Sequence, residues 1–193
     1  MNGSGTKDEK RLIVFLDCGD TIIDEGTEVR DEHDIVIEGK VIPGADVMVK
    51  TLAERGYRLA LVADGRAQSF VNLLTMNGVY DCFETMIYSE PIKASKPSPR
   101  MFKAAIGAMD LSERDVGRIV MLGNNLSRDV KGANAMGMIS VHLDWTPRYP
   151  KVPADASETP MYTVSDPMEF VELVERLNAA LTASEASSAS TAS

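Results

Sequence analysis

The chain has 193 residues, of which 44% are hydrophobic, and a formal net charge of −9. This length suits one globular domain with a sizeable core. The net negative charge argues against non-specific electrostatic binding to nucleic acid or to an anionic membrane. The two cysteines have no metal-ligand spacing, no apolar run reaches membrane-spanning length and no signal peptide is recognisable, which predicts a cytoplasmic protein with reduced thiols.

Both ends of the chain have a composition that is typical of disorder. Residues 1–10 are polar and contain glycine, and residues 182–193 consist mainly of serine and alanine. Neither stretch offers apolar residues that can be buried against a core. The sequence therefore predicts a single domain over residues 11–181, between two disordered ends.

Strand and helix patterns alternate along this domain. Apolar periodicity predicts helices around 45–52 and 102–109, and short apolar runs between such segments are typical of parallel strands that are covered on both faces. The alternation predicts an α/β fold with a doubly wound, Rossmann-like central parallel sheet. The predicted strands are Leu12–Leu16, Arg58–Val62, Thr85–Tyr88, Ile119–Leu122 and Ile139–Leu143.

Two helix starts carry capping signals. Ser98 is a predicted N-cap that is followed by Pro99, a residue suited to the first helical position. The last helix begins similarly at Asp166 and Pro167, and Glu169 has the spacing of a capping box.

Residues 22–43 interrupt the alternation. The stretches "TEVRD" and "DIVIEGKVI" within it alternate enough to predict a small β-hairpin, here called the flap. The segment is too short for a helical lid domain.

Polar residues follow the predicted strands at the edge where α/β sheets bind ligands. Because clustered carboxylates repel one another, such an edge favours a bound cation, and oxygen ligands suit Mg²⁺ best. The residues placed there are Asp17, Gly19, Asp20 and Thr21 after the first strand, Ala63 and Asp64 after the second, Lys96 after the third, and Asn124 and Asp129 after the fourth.

These residues stand in motifs that resemble those of the haloacid dehalogenase (HAD) superfamily. The motifs "DCGDT", "VADG", "KPSP" and "GNNLSRD" occur in the family's order, and "GANAMG" follows. The resemblance covers roughly residues 11–145. It implies a hydrolase with a HAD-type core. Because only residues 22–62 separate Thr21 from Ala63, it also implies the branch without a large cap.

The resemblance implies a phosphatase mechanism. Asp17 matches the nucleophile, which forms an aspartyl phosphate that water then hydrolyses. Lys96 matches the lysine that neutralises charge on the phosphate and the nucleophile, and Mg²⁺ offsets anionic repulsion. The implied metal ligands are Asp17, the Gly19 carbonyl, Asn124 and Asp129, of which Asp129 matches an acid that supports either the metal or the lysine. The implied substrate-binding residues are Thr21, Ala63, Asp64 and Lys96.

Three positions depart from the family pattern. Gly19 stands where the family's phosphatases carry a general acid and base, whose contribution is typically about 10²–10⁴-fold in rate. Asp20 is the candidate replacement. Ala63 stands for a serine or threonine, and Asn124 stands for a metal-binding acid.

These departures leave three functional hypotheses open. The first is a Mg²⁺-dependent phosphomonoesterase acting through Asp17 on a small phosphorylated metabolite or a phosphorylated macromolecule. The second is a scaffold with impaired turnover that binds a phosphorylated ligand or protein partner. The third is a metal-independent dehalogenase-like hydrolase. An uncapped site is also compatible with a homodimer, and "DWTPRYP" (144–150) is predicted to form the rim of the site or to pack against the tail.

Overall fold

The computed structural model describes residues 12–191, with side chains as far as residue 183. The predicted disordered N-terminal segment, residues 1–10, lies outside these residues. The described chain contains eight strands: β1 (Ile13–Leu16), β2 (Val29–Arg30), β3 (Val36–Glu38), β4 (Arg58–Ala63), β5 (Thr85–Tyr88), β6 (Ile119–Gly123), β7 (Ile139–Leu143) and β8 (Tyr162–Val164). The described helices are α1 (Ala45–Glu54), α2 (Ala67–Met76), α3 (Ser89–Ile92), α4 (Pro99–Ala108), α5 (Lys131–Met136) and α6 (Pro167–Thr191).

Six strands form one parallel sheet in the order β5-β4-β1-β6-β7-β8. The central strand β1 lies between β4 and β6, with Leu16 opposite Leu61 on one side and Leu122 on the other. The sheet therefore grows from β1 toward β4 and β5 on one side and toward β6, β7 and β8 on the other, so the strand order reverses at β1. Such a reversal opens a crevice at the carboxyl end of the strand. The predicted doubly wound α/β fold is confirmed.

Alternate residues of β1 contribute to two hydrophobic cores, one on each face of the sheet. Val14 and Leu16 pack with residues from α1, α2 and α6, whereas Ile13 and Phe15 pack with residues from α4 and α5. All four side chains are fully buried. Burial on both faces explains why β1 is apolar at every position instead of alternating.

The five predicted strands are present, and their ends differ by at most one residue from the prediction. The sequence analysis missed β8, a three-residue strand with two exposed residues, because so short and exposed a run carries no apolar pattern. Helix α6 continues to Thr191, although residues 182–193 were expected to be disordered. Alanine has the highest helix propensity of all residues, which favours continuation of a helix through this segment.

The capping predictions are largely confirmed. The Ser98 side chain accepts a hydrogen bond from the Arg100 N–H, and Pro99 is the first residue of α4. Asp166 accepts one from the Met168 N–H at 2.7 Å. The Glu169 carboxylate accepts from the Ser165 N–H at 2.8 Å, so its bond reaches one residue further back than the expected capping box.

The predicted flap is an antiparallel hairpin of β2 and β3, preceded by a 3-10 turn at Glu25–Thr27. Helix α2 fastens the hairpin to the domain, because Ser69 Oγ accepts from the Val36 N–H at 3.0 Å and Asn72 Nδ2 donates to the Val36 carbonyl at 2.9 Å. The hairpin is thus held in place over the carboxyl edge of the sheet. Within the described residues, no helix has both the length and the apolar character that a membrane crossing requires.

Candidate active site

A cavity of about 210 Å³ lies at the carboxyl edge of the sheet, beside the end of β1. The sheet edge and the flap both contribute to its wall, so the cavity is closed on one side by the hairpin. Its lining includes Asp17, Gly19, Asp64, Gly65, Lys96, Asn124, Asn125 and Arg128 from the core and Glu25, Glu28, Arg30, Asp34 and Val36 from the flap. Five of the predicted site residues, Asp17, Gly19, Asp64, Lys96 and Asn124, line this cavity together.

The Lys96 ammonium group bridges two carboxylates. Its Nζ lies 2.6 Å from Asp17 Oδ1 and 2.7 Å from Asp129 Oδ1. The side chains of Lys96 and Asp129 are each only 1% exposed, whereas that of Asp17 is 13% exposed and faces the cavity. Burial disfavours the charged ammonium, but Asp129 and Asp17 outweigh this cost and raise the pKa of Lys96. Lys96 therefore remains a cation at the base of the cavity.

The surroundings of the Asp17 carboxylate, unlike those of the Lys96 ammonium group, disfavour its charged form. Burial, together with the negative charge of Asp129, raises its pKa to about 6, although Lys96 acts in the other direction. Its backbone N–H donates to the Leu122 carbonyl at 3.0 Å, which ties the end of β1 to β6. Asp17 is thus a fixed carboxylate, incompletely compensated, with one oxygen held by Lys96.

Asp129 lies behind this pair and does not line the cavity. Its Oδ2 accepts a hydrogen bond from the Asn125 N–H at 3.0 Å, while its other oxygen faces Lys96. The absence of a side chain at Gly123 leaves room for the carboxylate, because a Cβ there would collide with Asp129. The structure therefore places Asp129 against Lys96, one of the two partners, lysine or metal, that the resemblance implied for it.

Asp64 also serves Lys96. Its Oδ1 accepts from the Lys96 N–H at 3.0 Å, and its Oδ2 lies 3.9 Å from Arg128. Burial raises the pKa of Asp64. Asp64 lines the cavity, and its hydrogen bond fixes the backbone at Lys96; its contact with substrate stays a prediction. Ala63 is fully buried at the end of β4, outside the cavity wall.

Asp20 does not line the cavity either. It adopts a left-handed conformation with φ of +49°, and its carboxylate forms two hydrogen bonds of 2.7 Å with the Arg148 guanidinium. The residue is completely buried. The structure thus uses Asp20 in an ion pair, and not as the proton-transfer group that its position in the motif suggested. Thr21 is likewise fully buried and lies away from the cavity wall.

The space beside Gly19 is filled by a glutamate from the flap. A Cβ atom at Gly19 would lie 2.9 Å from the carboxyl carbon of Glu25 and would collide with its Oε1 atom. The Tyr149 hydroxyl donates to Glu25 Oε2 at 2.8 Å, and burial raises the pKa of Glu25. The sequence analysis missed Glu25, and the Gly19 that replaces an acid was the one local sign that a carboxylate could enter from elsewhere.

The loop 144–150 clamps the turn that carries Glu25. Trp145 Nε1 donates to the Asp20 carbonyl at 2.7 Å, Arg148 pairs with Asp20 and Asp24, and Tyr149 reaches Glu25. The prediction that this loop forms the rim of the site agrees with Tyr149, which lines the cavity.

The predicted Mg²⁺ ligands are only partly assembled. Asp17, Gly19 and Asn124 line the cavity and carry a carboxylate, a backbone carbonyl and a carboxamide. Carboxylate, carbonyl and carboxamide oxygens fit a hard cation. They supply a single negative charge, however, and the described residues contain no group of three histidine, cysteine or acidic side chains that is placed to hold a metal. The three oxygen-bearing groups fit Mg²⁺ chemically, but their single negative charge balances only half of the charge of the ion.

Comparison with known proteins identifies the family. The model of the haloacid dehalogenase-like hydrolase family matches residues 20–143. A glyceraldehyde 3-phosphate phosphatase from Methanopyrus kandleri is 26% identical over 72% of this chain and 58% of its own length. A haloacetate dehalogenase H-2 from a Moraxella species is 28% identical over 82% of this chain and 65% of its own. The crystal structure of a HAD phosphatase from Thermococcus onnurineus superposes with a TM-score of 0.60 at 25% identity, over 70% of this chain and 58% of that one. The chain thus spans little more than half the length of the first of these relatives.

Proposed function

Because the chain belongs to the haloacid dehalogenase-like hydrolase family, we propose that it hydrolyses a phosphate monoester through Asp17. The observation that carries this proposal is the Asp17 carboxylate, which faces the cavity with one oxygen 2.6 Å from Lys96. The other oxygen attacks phosphorus, the bond from phosphorus to the alcohol oxygen breaks, and an aspartyl phosphate forms. Water then attacks the phosphorus atom, releases inorganic phosphate and regenerates the carboxylate.

Lys96 supports both half-reactions. Its cation, held between Asp17 and Asp129, stabilises the anionic phosphoryl group as it approaches a carboxylate. Asp64 and Asp129 fix the position of Lys96 through its backbone and its ammonium group. The lysine is therefore preorganised, which is the condition under which electrostatic stabilisation in a buried site is strongest.

We infer that Mg²⁺ binds beside Asp17. Asp17, the Gly19 carbonyl and Asn124 would hold it, because these three residues line the cavity with oxygen-bearing groups. When bound, the ion would neutralise charge on the nucleophile and on the phosphoryl oxygens.

A small phosphorylated metabolite suits this cavity better than a folded macromolecule. The volume of about 210 Å³ is below the roughly 300–1,000 Å³ of typical small-molecule sites. Arg66 and Arg128 line the same cavity and offer positive charge to an anionic substrate, whereas Arg30 is paired with Glu28 and Asp34. The two-stranded flap stands where a larger cap would be inserted, in keeping with the proposed capless branch, and the expected homodimer stays a prediction.

Phosphate release from a panel of phosphomonoesters, with and without Mg²⁺, tests the proposal. We expect metal-dependent release by the wild type and none by Asp17→Asn, a substitution that keeps the side-chain volume. The panel includes a phosphopeptide, so that turnover of it in preference to metabolites would overturn the substrate class. The exposed substitution Asp81→Asn, which changes the same functional group on the surface, is the matched control.

Two other functions remain candidates because specific observations favour them. The glycine at position 19 and the neutral Asn124 favour a scaffold with impaired turnover, for which the wild type would bind phosphate or a phosphomonoester without hydrolysing it. The similarity to a haloacetate dehalogenase, taken together with Gly19 and Asn124 of this chain, favours dehalogenation. Halide release from a short haloacid without metal would support that third function.

A further inference from the structure

We propose that Glu25 is the catalytic residue that delivers a proton to the leaving alcohol and then activates water, replacing the side chain that Gly19 lacks. The inference deepens the proposed phosphatase function and rests on it. Glu25 reaches the cavity from the flap, eight positions after Asp17, so no motif in the sequence pairs the two residues.

The chemistry of an alkyl phosphate requires such a group. An alkoxide is a poor leaving group, so the bond from phosphorus to the ester oxygen breaks readily only if that oxygen receives a proton. Glu25 gives its proton to this oxygen while Asp17 bonds to phosphorus, and the alcohol leaves neutral. In the second step the Glu25 carboxylate takes a proton from water as the water oxygen attacks phosphorus, which restores both carboxyl groups to their starting states.

The position of Glu25 is the first argument. Its carboxylate occupies the volume into which a side chain on Gly19 would extend, since a Cβ there would lie 2.9 Å from Glu25 Cδ and 3.2 Å from Cγ. Gly19 is two residues after Asp17, and both residues line the cavity. A carboxylate entering from the flap therefore reaches the region that a two-residue-later acid would reach from the β1 loop.

The surroundings of the other acidic residues are the second argument. Among the carboxylates that line the cavity, Asp17 and Asp64 lie within 4 Å of Lys96 and Arg128, respectively. Glu28 and Asp34 both pair with Arg30. Within the described chain Glu25 has no such basic partner, and its one side-chain hydrogen bond comes from the neutral Tyr149 hydroxyl. Glu25 is thus the acid in the cavity that is free to exchange a proton.

The third argument is that several contacts hold Glu25 in this place. Tyr149 donates to Oε2 at 2.8 Å, and the Glu25 N–H donates to Asp20 Oδ1 at 3.1 Å. Asp20 is itself fixed by Arg148 and Trp145. The buried ion pair of Asp20 therefore has a role in the site, as a positioning element beneath the turn that presents Glu25.

The test compares substrates whose leaving groups differ in their need for a proton. Glu25→Gln retains the acceptor for Tyr149 but cannot transfer a proton. We expect its kcat with an alkyl phosphate to fall by about 10²–10⁴-fold. With p-nitrophenyl phosphate, which has a good leaving group, the rate of aspartyl-phosphate formation should fall far less. That step is measured as the burst of nitrophenolate. Glu38→Gln, an exposed change in the same hairpin, is the control.

A relocation experiment makes the test sharper. Glu25→Ala vacates the volume beside Gly19, and adding Gly19→Asp supplies a carboxylate from the other side. We expect the double variant to recover alkyl phosphate turnover relative to Glu25→Ala. Gly19→Asp alone should gain nothing, because the new side chain collides with Glu25.

Four results overturn the inference. Equal losses on both substrates in the rate of aspartyl-phosphate formation would make Glu25 a structural residue, and a loss that excess Mg²⁺ reverses would make it a metal ligand. Failure of the double variant to recover, although it folds, would show that the positions are not equivalent. If the wild type shows no Asp17-dependent phosphate release at all, the proposed function itself fails, and the role of Glu25 with it.

Discussion

Replacing Asp17 by asparagine should change the pH dependence of stability in a direction fixed by the site. Burial and the charge of Asp129 hold the pKa of Asp17 at about 6, compared with 3.8 for an ordinary aspartate. Between these values the folded protein binds more protons than the unfolded chain, so the free energy of unfolding falls as the pH rises. Above pH 6 the ionised carboxylate is fully present in the folded state and destabilises it.

The size of the effect follows from the same values. A shift of about two pH units corresponds to about 3 kcal/mol, at roughly 1.4 kcal/mol per unit. Because asparagine does not titrate, the wild type should lose up to this amount relative to Asp17→Asn between about pH 4 and pH 7. The free energy of unfolding of the inactive variant, relative to that of the wild type, is thus expected to be higher at pH 7 than at pH 4.

Urea unfolding at a series of pH values, with a chelator present, measures this difference. Asp81→Asn controls for the loss of one carboxylate at the surface. Adding Mg²⁺ should reduce the pH-dependent loss in the wild type and leave the variant unchanged, because the cation stabilises the ionised form. A difference between the two proteins that grows with pH in favour of the wild type would refute the reasoning, since it would mean that Lys96 dominates burial and Asp129.

Three further substitutions test the supports of the site. Lys96→Met leaves two buried carboxylates without their cation, and we expect urea unfolding to show a loss of about 3–5 kcal/mol; an unchanged midpoint would contradict the central position of this lysine. Arg148→Ala similarly strips the completely buried Asp20 of its cation and should lower stability by about 3 kcal/mol, with part of the loss recovered in the double variant with Asp20→Asn; strictly additive effects would show that the pair is not coupled. Asn124→Asp adds a negative charge beside Asp17 and should tighten Mg²⁺ binding about tenfold by calorimetry; weaker binding would place the metal elsewhere.

The architecture was predictable because burial leaves a direct trace in the sequence. Every residue of β1 is apolar and buried, and the helix α4 begins at a serine and a proline whose roles depend only on local geometry. The strand β8 left no such trace, because it pairs at the edge of the sheet with most of its side chains exposed. Its position follows from tertiary contacts, which periodicity does not report.

The site was predictable where each residue acts close to its strand. Asp17 and Lys96 meet at 2.6 Å because parallel strands bring their carboxyl ends to one edge. The direction of a side chain in a loop is a different matter. Asp20 lies near Gly19 in the sequence, yet its positive φ turns it toward Arg148, 128 positions away.

Glu25 illustrates the same limit of sequence-based prediction, because here a residue that does reach the site was missed. It reaches the cavity because a 3-10 turn, a hairpin and the loop 144–150 combine to place it beside Gly19. None of these elements has a sequence signal that refers to the others. A missing side chain was visible in the sequence, but the residue that fills its space was visible only in the folded chain.

The most direct test of the account is detection of a phosphoryl group on Asp17 itself. The wild type is mixed with a phosphomonoester that it hydrolyses and Mg²⁺, quenched in acid within one turnover and digested for mass spectrometry. We predict that the peptide containing Asp17 carries one added phosphoryl group, and that Asp17→Asn, under the same conditions, carries none. Phosphate release from the substrate without any labelled Asp17 peptide, at quench times shorter than a turnover, would contradict the claim that this carboxylate is the nucleophile.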